Sequence, residues 1–369
     1  MELKKSNLKI VSPVNGDMLH RSDGIIRDGS LQVTMKIFAP DGSRIKVNDR
    51  AALGKDGVFT SEIPLTNYRN EIRVTDEDTG EGETIELYRL DHLEGKYRVS
   101  IDDNIWFLRD LTKEAEKYNS LFDNPFMGFL KELHDHFGTK IHLNIFYQTE
   151  GFDLSMMTDK YKDEWIASAG WIRLSFHALQ EFPDKPYIEA GYDQVKHDCD
   201  LVIEQVRRFA GAELTGPVTT VHWGETTVEG SRALRDAGYK GQLGYFNVDD
   251  DLPAVSYYLD VEKRRRIKKR FIWKDTTEDI VFVKTSIVID TKKQEEIFPF
   301  LEEYKKGAGK PPYLDLLVHE QYYYPFYKAY QPDYCQKIRT AVQWAVDNGY
   351  TPAFLEDCIL DKNSNQLDS

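Results

Sequence analysis

From residue 97 onward the chain alternates short apolar runs with amphipathic ones, and this alternation constrains its fold more than any other feature. Strand candidates are "RVSI" (98–101), "KIHLNIFYQ" (140–148), "WIRLSFH" (171–177), "VTTVHW" (218–223), "GQLGYF" (241–246) and "YLDLLVH" (313–319). Between them the 3.6-residue period predicts helices over 105–117, 125–137, 159–169, 189–209, 226–237, 293–306 and 333–348. Several of these end in a glycine-bearing cap: "HFG", "SAG", "RFAG", "DAG" and "DNG". Repeated strand–helix units imply an α/β domain built on a parallel sheet, open or closed. The first strand runs into "SIDDNIW", with neither GxGxxG nor GK[ST], so a phosphate-cradling open sheet is disfavoured. Polar residues instead collect where strands end: Asp102, Asp103, Gln148, His177, His222 and His319. In a (β/α) barrel that rim carries the chemistry, so a barrel is the expectation.

Residues 1–92 read differently. Short alternating runs separated by Asn-Gly, Asp-Gly and Thr-Gly predict a small all-β sandwich. The expected organisation is therefore a β-sandwich at 1–92 followed by an α/β barrel at 93–369. The order "G-x-F … I-P-L … N-x-I-x-V" resembles immunoglobulin-like modules appended to bacterial carbohydrate enzymes. A structural spacer is the expected role.

Composition narrows the function. With 62 acidic against 48 basic residues the net charge is −14, which argues against a nucleic-acid partner. The one basic cluster, "EKRRRIKKR" (262–270), is read as a solvated hairpin or loop rather than a polyanion site. Cys199, Cys335 and Cys358 are too few and too scattered for a disulfide framework or a CxxC metal site. No apolar run reaches membrane-span length, and the N-terminus as written shows no signal peptide. The expectation is a cytoplasmic protein, or a secreted or periplasmic one if the N-terminus was trimmed.

Neighbouring strand residues face opposite ways, so Asp102 and Asp103 share a site only if the strand ends there, with Asn104 capping the following helix. His177, His222 and His319 also terminate predicted strands. Carboxylate plus imidazole is the donor set of a catalytic divalent ion with an open water position.

Asp-Asp after the first strand, His after the third and a late Leu-x-His resemble the polysaccharide deacetylase (NodB-homology) family. "SIDDN" stands where that family has "TFDDG", "LSFHALQE" matches the strand opening its His-x-x-x-His motif, and "LLVHE" matches Leu-x-His. The resemblance spans roughly 97–356. It implies a distorted (β/α) barrel and metal-dependent removal of N- or O-acetyl groups from a carbohydrate, with zinc the expected ion. It assigns Asp102 as general base, Asp103 and His177 as metal ligands and His319 as general acid. Two departures stand out: Glu181 occupies the place of the second histidine, and "VHWGET" replaces Arg-x-Pro-Tyr-Gly. The third ligand is then His222, the preferred choice, or Glu181, or His197 or Asp198 in "VKHDCD". "VHEQYYYPFYKAYQPDY" suggests a sugar-stacking platform at Tyr322 and Tyr323, and Trp106, Trp223 and Glu225 sit beside motif residues as candidate substrate contacts. Trp171 reads as a core aromatic. Two other readings stay open. One is a catalytically inactive carbohydrate-binding barrel. The other is a glycoside hydrolase pairing Asp102 with Glu225 or Glu320.

Overall fold

A computed structural model describes residues 7–249, 252–307 and 312–361. The chain divides into two compact units: residues to Glu94 with the segment Ile272–Asp279, and Gly95–Phe271 with Ile280–Leu360.

The N-terminal unit holds two five-stranded sheets. In one, Ser30–Phe38 pairs with Val58–Leu65; in the other, Arg69–Asp76 pairs with Gly82–Leu90. Buried and exposed residues alternate along Arg69–Asp76, as a sheet with one solvated face requires. Val33, Met35 and Ile37 of the first sheet share one core with Ile72, Val74, Ile85 and Leu87 of the second. The unit is a two-sheet sandwich.

In the second unit the elements are β1 (Lys96–Asn104), α1 (Trp106–Lys113), α2 (Pro125–Phe137), β2 (Ile141–Phe146), α3 (Lys162–Ala167), β3 (Ile172–Ala178), α4 (Tyr192–Phe209) and β4 (Val218–Thr219). Then come α5 (Val228–Asp236), β5 (Gly241–Gly244), α6 (Val261–Arg270), β6 (Ile280–Lys284), β7 (Ile287–Val288), α7 (Gln294–Gly307), β8 (Tyr313–His319) and α8 (Tyr334–Asp347). All ladders among these strands are parallel, in two arcs ordered β3-β2-β1-β8-β7 and β4-β5-β6. The central strands are buried on both faces, which is why they read as continuous apolar runs.

The closed barrel expected from the sequence is not closed by a continuous backbone ladder. At one seam the strand bends: Thr285 N–H bonds Gly244 of the second arc, and Ser286 N–H bonds Asp315 of the first, at 2.9 and 3.2 Å. At the other, Leu174 of β3 makes one isolated bridge with Thr215, three residues before β4. Side chains do the rest: Ser175 Oγ donates to the Val218 carbonyl at 2.8 Å, and Thr219 Oγ1 to the Phe176 carbonyl. β4 is two residues long, and its backbone ladder is with β5.

The basic cluster also departs from expectation: it is helix α6, not a hairpin or loop. Asp260 caps it, accepting from Lys263 N–H at 2.9 Å, and Ile267 anchors it as its one buried residue. Lysine and arginine are good helix formers, and cap and anchor suffice to set the conformation.

Candidate functional site

β1 does not end at its two aspartates. It runs on through Asn104, and Asp103 takes a left-handed conformation with φ 62°. The ladder with β2 shifts register between Ile101 and Asn104. This bulge breaks the alternation of faces, so both carboxylates line one cleft. Asn104 is not the helix cap: its Nδ2 donates inward to the Ile101 and Asn144 carbonyls at 2.5 and 2.9 Å. The cap comes from far along the chain. Glu320 accepts the N–H groups of Ile105, Trp106 and Phe107 at 2.7, 3.0 and 2.6 Å, holding the start of α1.

Two side chains converge on Asp103. His177 Nε2 lies 2.9 Å from Asp103 Oδ1, His222 Nδ1 lies 3.1 Å from the same oxygen, and the two ring nitrogens are 3.2 Å apart. The opposite nitrogens face carbonyls: His177 Nδ1 that of Thr220, and His222 Nε2 that of Glu181 at 3.0 Å. A carbonyl only accepts, so these outer nitrogens carry the protons and the inner ones present lone pairs. Two lone pairs and a carboxylate oxygen then meet, which is repulsive unless a cation or proton lies among them. The three residues are buried and their donor atoms lie within 4.8 Å of one another, and the set fits a divalent ion with open positions. Gln321 Nε2 donates to Asp103 Oδ2 at 2.9 Å, orienting the carboxylate from behind. Burial alone would raise the Asp103 carboxyl, but a proton shared with the imidazoles of His177 and His222 favours its charged form and holds it well below the usual range. Burial opposes charge on His177, yet Asp102 and Asp103 outweigh it and raise the imidazole, so a proton competes with a metal there.

His222 reaches this point from a 3-10 turn, His222–Gly224, three residues beyond β4, not from a strand end as expected. Trp223 in that turn is left-handed at φ 64°, and its ring lines the cleft wall edge-on to the His222 ring, centroids 6.2 Å apart.

Asp102 and His319 are paired positions of the parallel strands β1 and β8, so their side chains leave the sheet on the same face. Both line the cleft, whose volume is about 390 Å³. Asn144 Nδ2 donates to Asp102 Oδ1 at 2.6 Å. Burial raises the Asp102 carboxyl, partly offset by His177 and His319. His319 Nδ1 meets Asp290 Oδ2 at 2.8 Å, and the same oxygen accepts His319 N–H at 2.7 Å. Although burial disfavours its charge, Asp290 prevails and raises the imidazole to about 10.

Of the remaining expected contacts, Glu181, Trp223 and Tyr322 line the cleft, while Trp106, Glu225 and Tyr323 do not. Trp106 packs edge-on against Tyr324 and Tyr327, Tyr323 against Phe126 and Tyr334, and Glu225 accepts Val255 N–H and meets Lys185. His197 is exposed on α4, and Asp198 is buried against the Tyr187 hydroxyl at 3.0 Å, so neither joins the cluster. Gln148 bonds Gln180, and Trp171 stacks on His134 in the core. The reading missed Asp290, Gln321, Asn144 and Tyr327. Asp290 follows the run "SIVI" and would have been found by the strand-end rule applied to the short strand β7. Gln321 stands two residues after His319 with no motif to mark it.

No protein-family model matches the sequence, and no curated protein matches it significantly. Solved structures that resemble the fold include a 4-alpha-glucanotransferase from Thermococcus litoralis at 12% identity and TM-score 0.48, covering 72% of this chain and 40% of that one. The chain thus spans under half the length of that protein. A CE4 esterase from Streptococcus mutans matches at 12% identity and TM-score 0.38, covering 70% and 85% of the two chains. A CE4 family pseudoenzyme from Bacillus anthracis matches at 8% identity and TM-score 0.32, covering 78% and 83%. Likenesses this distant assign no chemistry, which rests on the cleft's own residues. Among the described residues no helix is long and apolar enough to cross a membrane.

Proposed function

We propose that the protein is a metal-dependent hydrolase removing N- or O-linked acetyl groups from a carbohydrate, with Asp103, His177 and His222 holding the ion, expected to be zinc. The observation that carries this reading is the convergence of two imidazole lone pairs on one carboxylate oxygen, with Asp102 and His319 in the same cleft. A divalent ion there would polarise the acyl carbonyl and acidify a bound water. The protein's own groups divide the proton work. Asp102, oriented by Asn144, accepts the proton of the attacking water through its second oxygen. His319, kept protonated by Asp290, donates to the departing amine or alkoxide. Trp223, Tyr322 and Tyr327 offer ring faces at the cleft wall for a pyranose. We take residues 1–92 as an immunoglobulin-like spacer and 93–369 as the deacetylase-like barrel.

The two-carboxylate glycosidase reading loses its named partners, because neither Glu225 nor Glu320 lines the cleft. The test is elemental analysis together with acetate release from acetylated chito- and xylo-oligosaccharides. Near-stoichiometric metal and chelator-sensitive acetate release, with Asp102→Asn keeping metal but losing turnover, is the expected result. No bound metal after zinc incubation would overturn the reading in favour of a carbohydrate-binding barrel.

A further inference from the structure

The proposed reaction uses rings of the cleft wall and leaves the rest of the aromatic run after His319 without a role. Those rings continue past the cleft as a row. From centroid to centroid, Tyr322 stands 6.1 Å from His319, Tyr327 5.5 Å from Tyr322, Trp106 5.7 Å from Tyr327 and Phe326 4.9 Å from Trp106. Tyr322 and Tyr327 line the cleft, whereas Trp106 and Phe326 do not. The row therefore starts at the proposed acid and leads out of the cleft. Its last ring is the least covered, with Phe326 61% exposed. A lone exposed phenylalanine is ordinary on a protein surface. This one is not alone, because it ends a chain of ring contacts that begins at the reacting groups.

The row is fixed through the same segments that fix His319. Trp106 and Arg109 lie three residues apart on α1, hence on one face, and the Arg109 guanidinium sits 5.7 Å from the centre of the Phe326 ring. Glu320, the residue after His319, holds the start of α1. Gln331 N–H bonds the Tyr322 carbonyl at 2.9 Å and closes the loop that carries Phe326 and Tyr327. Gln331 Nε2 donates to the Asp290 carbonyl, also at 2.9 Å. A surface ordered in advance loses little freedom when a ligand settles on it. The row is also too small for a second copy of the chain. Four rings of about 150–250 Å² each, three of them half-buried, expose well under the about 800 Å² a side of a stable interface. A narrow file of apolar rings instead matches the apolar faces of successive pyranoses in one chain. We propose that Trp106 and Phe326 extend the cleft into a binding surface for the sugar units next to the acylated one, so that the substrate is an oligo- or polysaccharide chain and not a monosaccharide. The inference rests on the hydrolase reading for the cleft and on the row for the neighbouring units.

The test is isothermal titration calorimetry of the full chain carrying Asp102→Asn, with zinc present, against acetylated chito- and xylo-oligosaccharides from disaccharide to hexasaccharide. The hexasaccharide of at least one series should bind about tenfold more tightly than its disaccharide, because two further rings are engaged. Phe326→Ala should cut that ratio about two- to tenfold, the worth of one aromatic contact, and Phe326→Tyr should restore it. Light scattering should give the same mass for the parent and Phe326→Ala. No binding of either hexasaccharide, equal affinity at every length, a ratio unmoved by Phe326→Ala, or a self-associated parent that Phe326→Ala dissociates would overturn the proposal. The readout needs no turnover, so the two proposals fail separately. Acetate release with length-independent binding refutes the extended surface, and length-dependent binding without metal or acetate release refutes the hydrolase.

Discussion

Replacing Asp290 with asparagine removes a charge and little else. The amide keeps an acceptor for His319 Nδ1–H, now at 2.8 Å from a carboxylate oxygen, so the ring should hold its place. What changes is its affinity for a proton. Asp290 is 2% exposed and His319 28%, so water screens this pair little, and Asp290 is the main reason His319 stands at about 10 instead of 6.5. At pH 8 a group of pKa about 10 is about 99% protonated, and one of pKa about 6.5 about 3%, a difference of about thirtyfold in competent acid. Acetate release at pH 8 should fall by that factor, and the alkaline limb of the rate profile should move toward neutrality. Stability follows the same sign. The folded pKa of His319 is the raised one, so the pair's contribution is fully present below about 6.5 and is lost as pH rises through about 10. Asp290→Asn should therefore be least stable relative to the parent in acid and neutral solution. The assay is a pH–rate series on an acetylated oligosaccharide, with thermal melts at pH 6 and 10. An alkaline limb left in place by Asp290→Asn would refute the assignment of His319 as the acid.

Other expectations can be checked alongside. His177→Ala and His222→Ala should each weaken zinc binding beyond the about 10- to 100-fold that loss of an outer partner costs, while Gln321→Ala should fall within that range. Glu181→Gln should leave zinc affinity nearly unchanged, as titration against a chromophoric chelator would show. Because Asp102 and Asp103 raise His177, zinc affinity should decline on going from pH 8 to pH 6. Glu320→Ala strands three N–H groups at the start of α1, costing about 3 kcal/mol, or about 6–12 °C in melting temperature. Lost turnover at an unchanged melting temperature would instead make Glu320 a catalytic carboxylate.

How much was legible depended on the range of the interaction. Helix α2 runs over Pro125–Phe137 as the periodicity predicts, with Asn124 accepting at its N-terminus and Gly138 left-handed at φ 70° after it. Those signals lie within a few residues of each other, and a local rule can read them. His177 and His319 were legible for the same reason, since polarity breaking an apolar run is local. The Glu320 cap on α1 was not, because donor and acceptor lie 213 to 215 residues apart in sequence. Nor was the pairing of Asp290 with His319, which depends on the register of β7 against β8.

By itself the sequence determined the alternation of strands and helices and the chemistry available at strand ends. It left open which of Glu181, His197, Asp198 and His222 would join Asp103 and His177. Tertiary structure decided that, by turning Asp103 through a left-handed bulge and bringing His222 in from a turn beyond a two-residue strand. The physical reason is that side-chain periodicity is set by each residue's own backbone, whereas convergence on one point is set by how distant strands register. A one-residue bulge in β1 was enough to put two neighbouring carboxylates in the same cleft.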